Sequence, residues 1–116
     1  MAVGRHAVAD IYNCNCPKMD DLNYIKTLVM ASAKEANLTV VDNMFYKFSP
    51  IGISGVLILS ESHLTIHTWP EYNYIAVDVF TCGTKINPVN ACKIIAKNFN
   101  SKSMVIKEFE RGDDCE

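Results

Sequence analysis

Hydrophobic and polar positions alternate with two different periods along the chain, and the two periods separate strands from helices. Residues 5–13 alternate with a period of two, which is typical of a strand. From Asp20 to Asn37 the apolar positions recur every three to four residues, which predicts a helix of about five turns. The acidic pair Asp20 and Asp21 favours the N-terminus of that helix electrostatically.

Five further strand-like segments and one more helix follow. Strands are predicted over residues 38–48, 54–60, 63–69, 74–81 and 105–109. Turn residues at 49–52 and 70–73 separate the middle strands. A second helix is predicted after Asn87, which can cap it, with Pro88 at its first position. The predicted order of elements is therefore β-α-β-β-β-β-α-β.

This order predicts an α+β fold, a two-layer sandwich with a mainly antiparallel sheet and two helices on one face. Short turns between the middle strands favour antiparallel pairing. With 116 residues the chain fits one domain, residues 1–116, and buries a core of modest depth. The second face of the sheet would stay exposed unless another subunit covers it.

Composition excludes several classes of protein. Hydrophobic residues make up 49% and charged residues 21% of the chain, and the net charge is −2, as expected for a soluble globular protein. No cluster of Lys and Arg is present, which argues against nucleic-acid binding. No apolar run reaches the roughly 18 residues of a membrane span, and the first residues lack the apolar stretch of a signal peptide. The sequence therefore predicts a cytoplasmic protein.

The five cysteines do not form an even disulfide framework, and we expect free thiols. They are Cys14, Cys16, Cys82, Cys92 and Cys115. Cys14 and Cys16 form a C-x-C pair, but no second close pair of Cys or His completes a four-ligand metal site. Small structural residues are the favoured interpretation for all except Cys82.

Residues 60–83, SESHLTIHTWPEYNYIAVDVFTCG, concentrate reactive side chains. Alternation places four side chains on one face of the predicted strand, namely His63, Thr65, His67 and Trp69. A turn at 70–71 would reverse the chain and bring Cys82 towards the end that carries Ser62. A nucleophile, a base, a carboxylate and a thiol (Ser62, His67, Glu71 and Cys82) are then predicted to share one pocket suited to acyl chemistry.

The same segment resembles the signature of the S-adenosylmethionine decarboxylase family, in which E-S-H-L-[ST]-I-H-T-W-P-E precedes D-x-F-T-C-G. GRHAVADIYNC at 4–14 and KFSPIGISGV at 47–56 resemble further blocks of that family in the expected order. The resemblance covers nearly the whole chain and is weaker in the first helix and after Asn87. The length is similar to that of the short form found in archaea and many bacteria.

The resemblance implies that the chain is a proenzyme that cuts itself. The Ser62 hydroxyl would attack the carbonyl of Glu61, and elimination would separate residues 1–61 (the β chain) from residues 62–116 (the α chain). Ser62 would become a pyruvoyl group, the cofactor of the enzyme. By the same resemblance His67 is the acid and base of processing, since an imidazole can move a proton near neutral pH, and Ser54 supports that step.

The resemblance also implies roles in decarboxylation. The pyruvoyl group would form a Schiff base with S-adenosylmethionine, and Cys82 would protonate the carbon that loses CO₂. Glu71 would hold the ribose diol, Phe48 would stack on the adenine and Trp69 would form a wall of the pocket. The product, decarboxylated S-adenosylmethionine, is the aminopropyl donor for spermidine in polyamine biosynthesis. A homodimer of processed protomers and no metal cofactor are expected.

Several interpretations stay open. Phe48 could be a core residue and Glu71 a solvated turn residue, while His63 could merely pack or form a hydrogen bond. Tyr46-Lys47 stands where many members of the family carry His-Arg, and relatives with the same self-cleaving core decarboxylate arginine or ornithine. Glu71 favours a ribose-bearing substrate, because a free amino acid offers no diol.

A non-catalytic regulatory homologue is a further alternative. Such a protein should have lost the serine, histidine or cysteine of the reactive segment, and all three are present at Ser62, His67 and Cys82. The sequence therefore favours an active enzyme.

Overall fold

A computed structural model describes residues 2–83 and 85–115, and this part of the chain forms six strands, two α-helices and one short 3₁₀ helix. The strands are β1 (Gly4–Tyr12), β2 (Val40–Lys47), β3 (Ile53–Leu59), β4 (Ser62–Trp69), β5 (Tyr74–Cys82) and β6 (Ser103–Arg111). The helices are α1 (Leu22–Glu35) and α2 (Pro88–Asn98), and the 3₁₀ helix is Pro70–Tyr72. The predicted order of strands and α-helices is confirmed.

The strands form one sheet in the order β2-β3-β4-β5-β1-β6, and each neighbouring pair is antiparallel. The first strand of the chain therefore lies inside the sheet, between β5 and β6. The α+β sandwich with an antiparallel sheet is confirmed.

The core lies between the sheet and the two helices. Along β4 the buried side chains are Leu64, Ile66 and Thr68, which alternate with exposed or half-buried ones. From α1 and α2, Ile25, Val29 and Ile95 are each at most 1% exposed. Burying an aliphatic side chain of this size contributes about 1.5–3 kcal/mol to folding, so this single layer of contacts supplies much of the stability.

Helix α1 is shorter than predicted. It begins at Leu22 because the Asp21 side chain caps it, accepting a hydrogen bond from Tyr24 N at 3.0 Å. Asp20 lies outside the helix, so the prediction that the helix starts there is wrong. The helix ends at Glu35, and Asn37 follows it with a left-handed backbone (φ 63°), a common way to terminate a helix.

The predicted start of α2 is confirmed, whereas β6 is longer than predicted. Asn87 caps α2 by accepting from Val89 N at 2.9 Å, and Pro88 occupies its first position, as expected. Strand β6 runs over Ser103–Arg111 and is longer than the predicted 105–109. It is longer because it pairs with β1 along the whole length of that strand.

The face of the sheet opposite the helices is uncovered by the described residues, and it carries both polar and apolar side chains. It exposes aromatic and aliphatic side chains from both ends of the sheet, among them Val8, Tyr12, Met44, Tyr46, Trp69 and Phe109. Exposed apolar patches of this kind mark interaction surfaces. We call this surface the open face. Among the described residues, no helix is both long and apolar enough to cross a membrane.

Candidate active site

The bond between Glu61 and Ser62 lies at the start of β4, next to the end of β5. The Cys82 backbone N–H donates a hydrogen bond of 2.8 Å to the Glu61 carbonyl oxygen. The Glu61 side chain is held as well, since its Oε1 accepts from Thr39 N at 3.0 Å. An N–H aimed at a carbonyl oxygen stabilises the negative charge that develops there during nucleophilic attack. The Glu61 carbonyl is therefore both fixed and polarised.

Ser62 has an unusual backbone conformation. Its φ is +154°, a value that residues other than glycine rarely adopt and that stores about 1–3 kcal/mol of strain. Ser62 pairs with Thr81 in the β4–β5 register, so regular alternation would point its side chain towards the helices. The distorted backbone interrupts that alternation. Strain is thus concentrated at the residue whose hydroxyl the sequence singles out.

A cavity of about 410 Å³ opens beside this junction and is lined by Glu61, Cys82, Gly83, Lys85 and Ile86. Cys82 is exposed. By the alternation along β5, its side chain lies on the face of the sheet that points away from the helices. Its thiol is therefore accessible to a small molecule that reaches the junction. We call Glu61, Ser62 and Cys82 the junction group.

A second group lies at the other end of β4. Ser54 of β3 and His67 of β4 are paired across the strands, and Ser54 Oγ lies 2.7 Å from His67 Nδ1. A cavity of about 330 Å³ beside them is lined by Phe48, Ile51, Gly52, Ile53, Ser54, His67, Thr68, Trp69 and Glu71. The structure thus brings Ser54 and His67, two of the residues predicted for processing, next to the residues predicted for substrate binding. We call Ser54, His67, Phe48, Trp69 and Glu71 the pocket group.

The two groups do not share one pocket within a chain, and the prediction that they would is wrong. Ser62 and His67 are five residues apart on an extended strand, which separates them by roughly 16 Å at about 3.3 Å per residue. A base must come within about 2.6–3.2 Å of the proton that it moves. His67 therefore cannot act on Ser62 of its own chain in this fold.

A third cluster surrounds Asp78, the first residue of the D-x-F-T-C-G block, to which the sequence analysis assigned no role. Asp78 Oδ2 lies 2.7 Å from His6 Nε2 and 3.0 Å from His63 Nε2, and its Oδ1 accepts from the Thr65 hydroxyl. Burial opposes ionisation of Asp78, but the hydrogen bonds from Thr65, His6 and His63 outweigh it and lower the pKa of the carboxyl. Of the two open interpretations of His63, the geometry favours a hydrogen-bonded residue.

Two histidines and a carboxylate resemble the ligand set of a transition metal, so their protonation matters. Arg111 Nη1 lies 3.0 Å from His6 Nδ1. A guanidinium only donates, so His6 Nδ1 accepts and its Nε2 carries the proton that it donates to Asp78. His6 then has no free lone pair to offer a metal, and the cluster is a hydrogen-bonded network between β1, β4 and β5.

The five cysteines are free thiols, as predicted. Cys14, Cys16 and Cys92 are buried, whereas Cys82 and Cys115 are exposed. Burial, together with the neighbouring Cys16, raises the pKa of Cys14 to about 11. Burial, together with the charge of Asp78, raises the pKa of Cys92 to about 12. Thiols in this state are poor nucleophiles and poor metal ligands.

Fold and site together define an α+β protein with a strained Glu-Ser junction and a separate Ser–His pair on an open antiparallel sheet. The family model for S-adenosylmethionine decarboxylase matches residues 5–112, and the chain belongs to that family.

Relatives and a solved structure agree with this assignment. The chain is 50% identical over 111 residues to an S-adenosylmethionine decarboxylase proenzyme of Acetivibrio thermocellus, covering 96% of this chain and 90% of the relative. It is 51% identical over 110 residues to a protein of the same name from Clostridium kluyveri, covering 95% and 87%. The crystal structure of the adenosylmethionine decarboxylase from Aquifex aeolicus VF5 matches with a TM-score of 0.87 and 38% identity, covering 96% and 92%.

Proposed function

We propose that this chain is the precursor of a pyruvoyl-dependent S-adenosylmethionine decarboxylase that cleaves itself between Glu61 and Ser62. The observation that carries the proposal is the junction itself, where the Cys82 N–H holds the Glu61 carbonyl next to a strained serine. The relatives at about 50% identity carry the name proenzyme, which supports a processed precursor.

The cleavage chemistry follows from the atoms at the junction. Ser62 Oγ attacks the Glu61 carbonyl carbon, the Ser62 nitrogen leaves, and an ester replaces the peptide bond. Removal of the Ser62 α-proton then breaks the Cβ–Oγ bond and frees the Glu61 carboxylate. Water finally displaces the Ser62 nitrogen as ammonia and leaves a ketone at residue 62. The hydrogen bond from Cys82 N stabilises the oxyanion of the first step.

Cleavage would leave the fold intact because the two fragments are interleaved in the sheet. Residues 1–61 supply β1, β2 and β3, and residues 62–116 supply β4, β5 and β6. In the order β2-β3-β4-β5-β1-β6, three of the five strand pairings join one fragment to the other. The processed enzyme is thus held together without the bond that was cut.

We infer that a complete site requires two copies of the chain. The junction group and the pocket group lie roughly 16 Å apart along β4, yet processing requires Ser62 and a base to be in contact. Cys82, His67 and Trp69 all lie on the open face, which is apolar enough to be covered by a partner. A symmetric pair of open faces would place the junction group of one copy against the pocket group of the other.

The pocket group suits a nucleoside. Phe48 and Trp69 present exposed rings to a cavity of about 330 Å³, within the usual range for small-molecule sites. These rings would stack on the adenine and attract the sulfonium. The Glu71 carboxylate would accept hydrogen bonds from both ribose hydroxyls. The open interpretations of Phe48 as core and Glu71 as a solvated turn residue fit less well, since both residues line the cavity.

Decarboxylation would use both the pyruvoyl cofactor and side chains of the protein. The pyruvoyl group formed from Ser62 would serve as the electron sink for the loss of CO₂. Cys82 lies at the same end of the sheet, and its exposed thiol would deliver the proton that replaces CO₂. The product would be the aminopropyl donor for spermidine synthesis in the cytoplasm.

Mass spectrometry and a substrate panel test the proposal. The purified chain should give a 61-residue fragment and a 55-residue fragment with an N-terminal pyruvoyl group, while the Ser62→Ala variant should stay intact. The processed protein should release CO₂ from S-adenosylmethionine and not from arginine or ornithine. An intact wild-type mass after long incubation would overturn self-cleavage. Release of CO₂ from a basic amino acid alone would overturn the nucleoside assignment.

A further inference from the structure

Residues 48–52 join β2 to β3 and form one wall of the cavity in the pocket group; we call them the pocket loop. Phe48, Ile51 and Gly52 of this loop line the cavity directly. On the opposite side of the cavity, Trp69 and Glu71 lie on or next to the end of β4. The width of the cavity therefore depends on where the loop is held.

A backbone hydrogen bond closes the pocket loop. The Phe48 N–H donates to the Gly52 carbonyl at 2.8 Å, which closes the loop on itself. Gly52 has a φ of +110°, a conformation open to glycine at no steric cost. Beyond the loop, Ile53 N donates to the hydroxyl of the buried Thr68 at 3.0 Å, which fixes the start of β3.

Asp20 anchors the loop from another part of the fold. Its Oδ1 accepts a hydrogen bond from Gly52 N at 2.8 Å, and its Oδ2 lies 2.9 Å from Lys47 Nζ. Lys47 Nζ in turn donates to the Phe48 carbonyl at 2.8 Å. One carboxylate and one ammonium thus hold both ends of the pocket loop. Burial opposes ionisation of Asp20, but the hydrogen bonds from Lys47 and Gly52 outweigh it and lower its pKa.

We propose that Asp20 and Lys47 are positioning residues that fix the pocket loop, and through it the Phe48 ring, for the nucleoside part of the substrate. The identity of that ligand rests on the proposed function. Neither residue needs to touch the substrate. Their effect is to order the wall against which it binds, so that less conformational freedom is lost on binding.

The same contacts explain the departure at Tyr46-Lys47. Lysine stands where many members of the family carry arginine, and either side chain donates to two acceptors at once. The Tyr46 ring packs edge-on against the Phe48 ring, with centroids 4.8 Å apart. Both substituted positions therefore act on Phe48, one through its backbone and one through its ring.

The chain offers a matched control. Glu35 of α1 accepts from Lys97 Nζ at 3.0 Å and from Asn98 Nδ2 at 3.4 Å. This carboxylate resembles Asp20 in having one ammonium partner and one N–H partner, but it ties α1 to α2 and lines none of the cavities described above. A merely structural effect of losing such a pair should be similar in Glu35→Ala and Asp20→Ala.

The test compares processed wild-type enzyme with Asp20→Ala, Lys47→Met, Lys47→Arg and Glu35→Ala. Steady-state kinetics give KM and kcat for S-adenosylmethionine. Binding of 5′-methylthioadenosine, which carries the nucleoside but not the α-amino group of the substrate, is followed by quenching of Trp69, the only tryptophan of the chain. Mass spectrometry checks that each variant has been cleaved, and thermal unfolding checks its stability.

Asp20→Ala and Lys47→Met should raise KM and the Kd of 5′-methylthioadenosine about tenfold, the scale of a lost charge-assisted hydrogen bond that orders a loop. The value of kcat should stay within about threefold, because the reacting atoms lie in the junction group. Lys47→Arg should retain wild-type KM, and Glu35→Ala should change neither constant. If Asp20→Ala fails to fold, Asp20→Asn keeps the acceptor for Gly52 N and should show an intermediate rise in KM.

The outcomes separate the two proposals. A wild-type enzyme that decarboxylates S-adenosylmethionine and binds the probe, with Asp20→Ala indistinguishable from Glu35→Ala in KM and Kd, overturns the inference alone. Equal rises in KM for Lys47→Arg and Lys47→Met also overturn it, because arginine can donate to both acceptors of Lys47 and should replace it. A wild-type chain that neither cleaves itself nor binds the nucleoside overturns the proposed function and the inference with it.

Discussion

Ser62 and His67 lie on one strand with roughly 16 Å between them, and each has its own partner on the neighbouring strand. Cys82 lies at the Ser62 end and Ser54 at the His67 end. The same five-residue spacing on a helix would span only about 7.5 Å. Under the proposed function, the extended strand would carry two half-sites of one reaction, and a two-fold axis through the open face would let each meet its complement.

Complementation between two inactive variants tests this arrangement. Ser62→Ala lacks the nucleophile, and His67→Ala lacks the base. If the site is shared between two copies, co-expression in one cell would give mixed dimers in which Ser62 of the second variant meets His67 of the first. We expect neither variant alone to be cleaved, and up to about half of the His67→Ala chains to be cleaved after co-expression if the two variants mix at random and in equal amounts.

Tagging the two variants differently lets mass spectrometry report which chain has been cut. Only the His67→Ala chain should be cut, because the other has no serine at position 62. A double variant with both substitutions on one chain is the negative control, because it should allow no cleavage when it is co-expressed with either single variant. Absence of cleavage in the mixture of stable Ser62→Ala and His67→Ala chains would show that the site is not shared between copies.

Replacing Cys82 should separate self-cleavage from decarboxylation. The backbone N–H of residue 82, not the thiol, donates to the Glu61 carbonyl, so Cys82→Ala keeps that hydrogen bond. We expect the 61- and 55-residue fragments to form, while kcat for S-adenosylmethionine falls about 10²- to 10⁴-fold, the usual contribution of a general acid. Cys115→Ala, at the other exposed thiol, is the control and should keep wild-type kcat. Unchanged kcat in Cys82→Ala would exclude the thiol as proton donor.

Local patterns predicted the elements well, because each depends on residues that are close in sequence. Alternation along β4 predicted that His63, Thr65, His67 and Trp69 share one face, and in the structure the residues between them are buried on the other face. The cap at Asn87 was visible because capping depends on a side chain two residues from the amide that it accepts from.

Contacts between distant residues were not predictable in this way. Asp20 was interpreted as the start of a helix, and only the fold shows that it anchors Gly52, 32 residues later. The pairing of β1 with β5 brings His6 to Asp78, and no local sequence pattern predicts this contact. The available signals for Asp78 were its acidic side chain in the middle of the apolar run IAVDVF and its place at the start of the D-x-F-T-C-G block. The prediction of a single pocket failed because residue types were considered without the length of the strand between them.

The two fragments should stay together after cleavage. Strand β1 from the first fragment lies between β5 and β6 from the second, so separation requires breaking three strand pairings at once. We expect processed protein to elute in size-exclusion chromatography at the position of the uncleaved Ser62→Ala variant. In about 6 M urea the fragments should separate, since denaturant removes the pairings but cannot restore the cut bond. Fragments that separate in native buffer would show that the sheet order does not hold them.

Asp78 should make the stability of the protein sensitive to acid. The pKa of its carboxyl is lowered in the folded state, so the stability that it contributes is fully present above its ordinary value of 3.8 and is lost as pH falls through the lower folded value. His6, His63 and Thr65 are the groups that face it. In Asp78→Asn this contribution disappears, and a buried acceptor loses its charge.

Urea unfolding in the uncleavable Ser62→Ala background measures the effect without interference from processing. At pH 7 Asp78→Asn should reduce the free energy of unfolding by about 1–3 kcal/mol, because three donors lose a charged acceptor. The difference between the two proteins should narrow as pH falls below about 4, where the parent loses the same interaction. Glu108→Gln, which removes the exposed partner of Arg5, should cost at most about 1 kcal/mol. A gap between Asp78→Asn and its parent that stays constant down to about pH 2 would show that the Asp78 carboxylate is not held by this network.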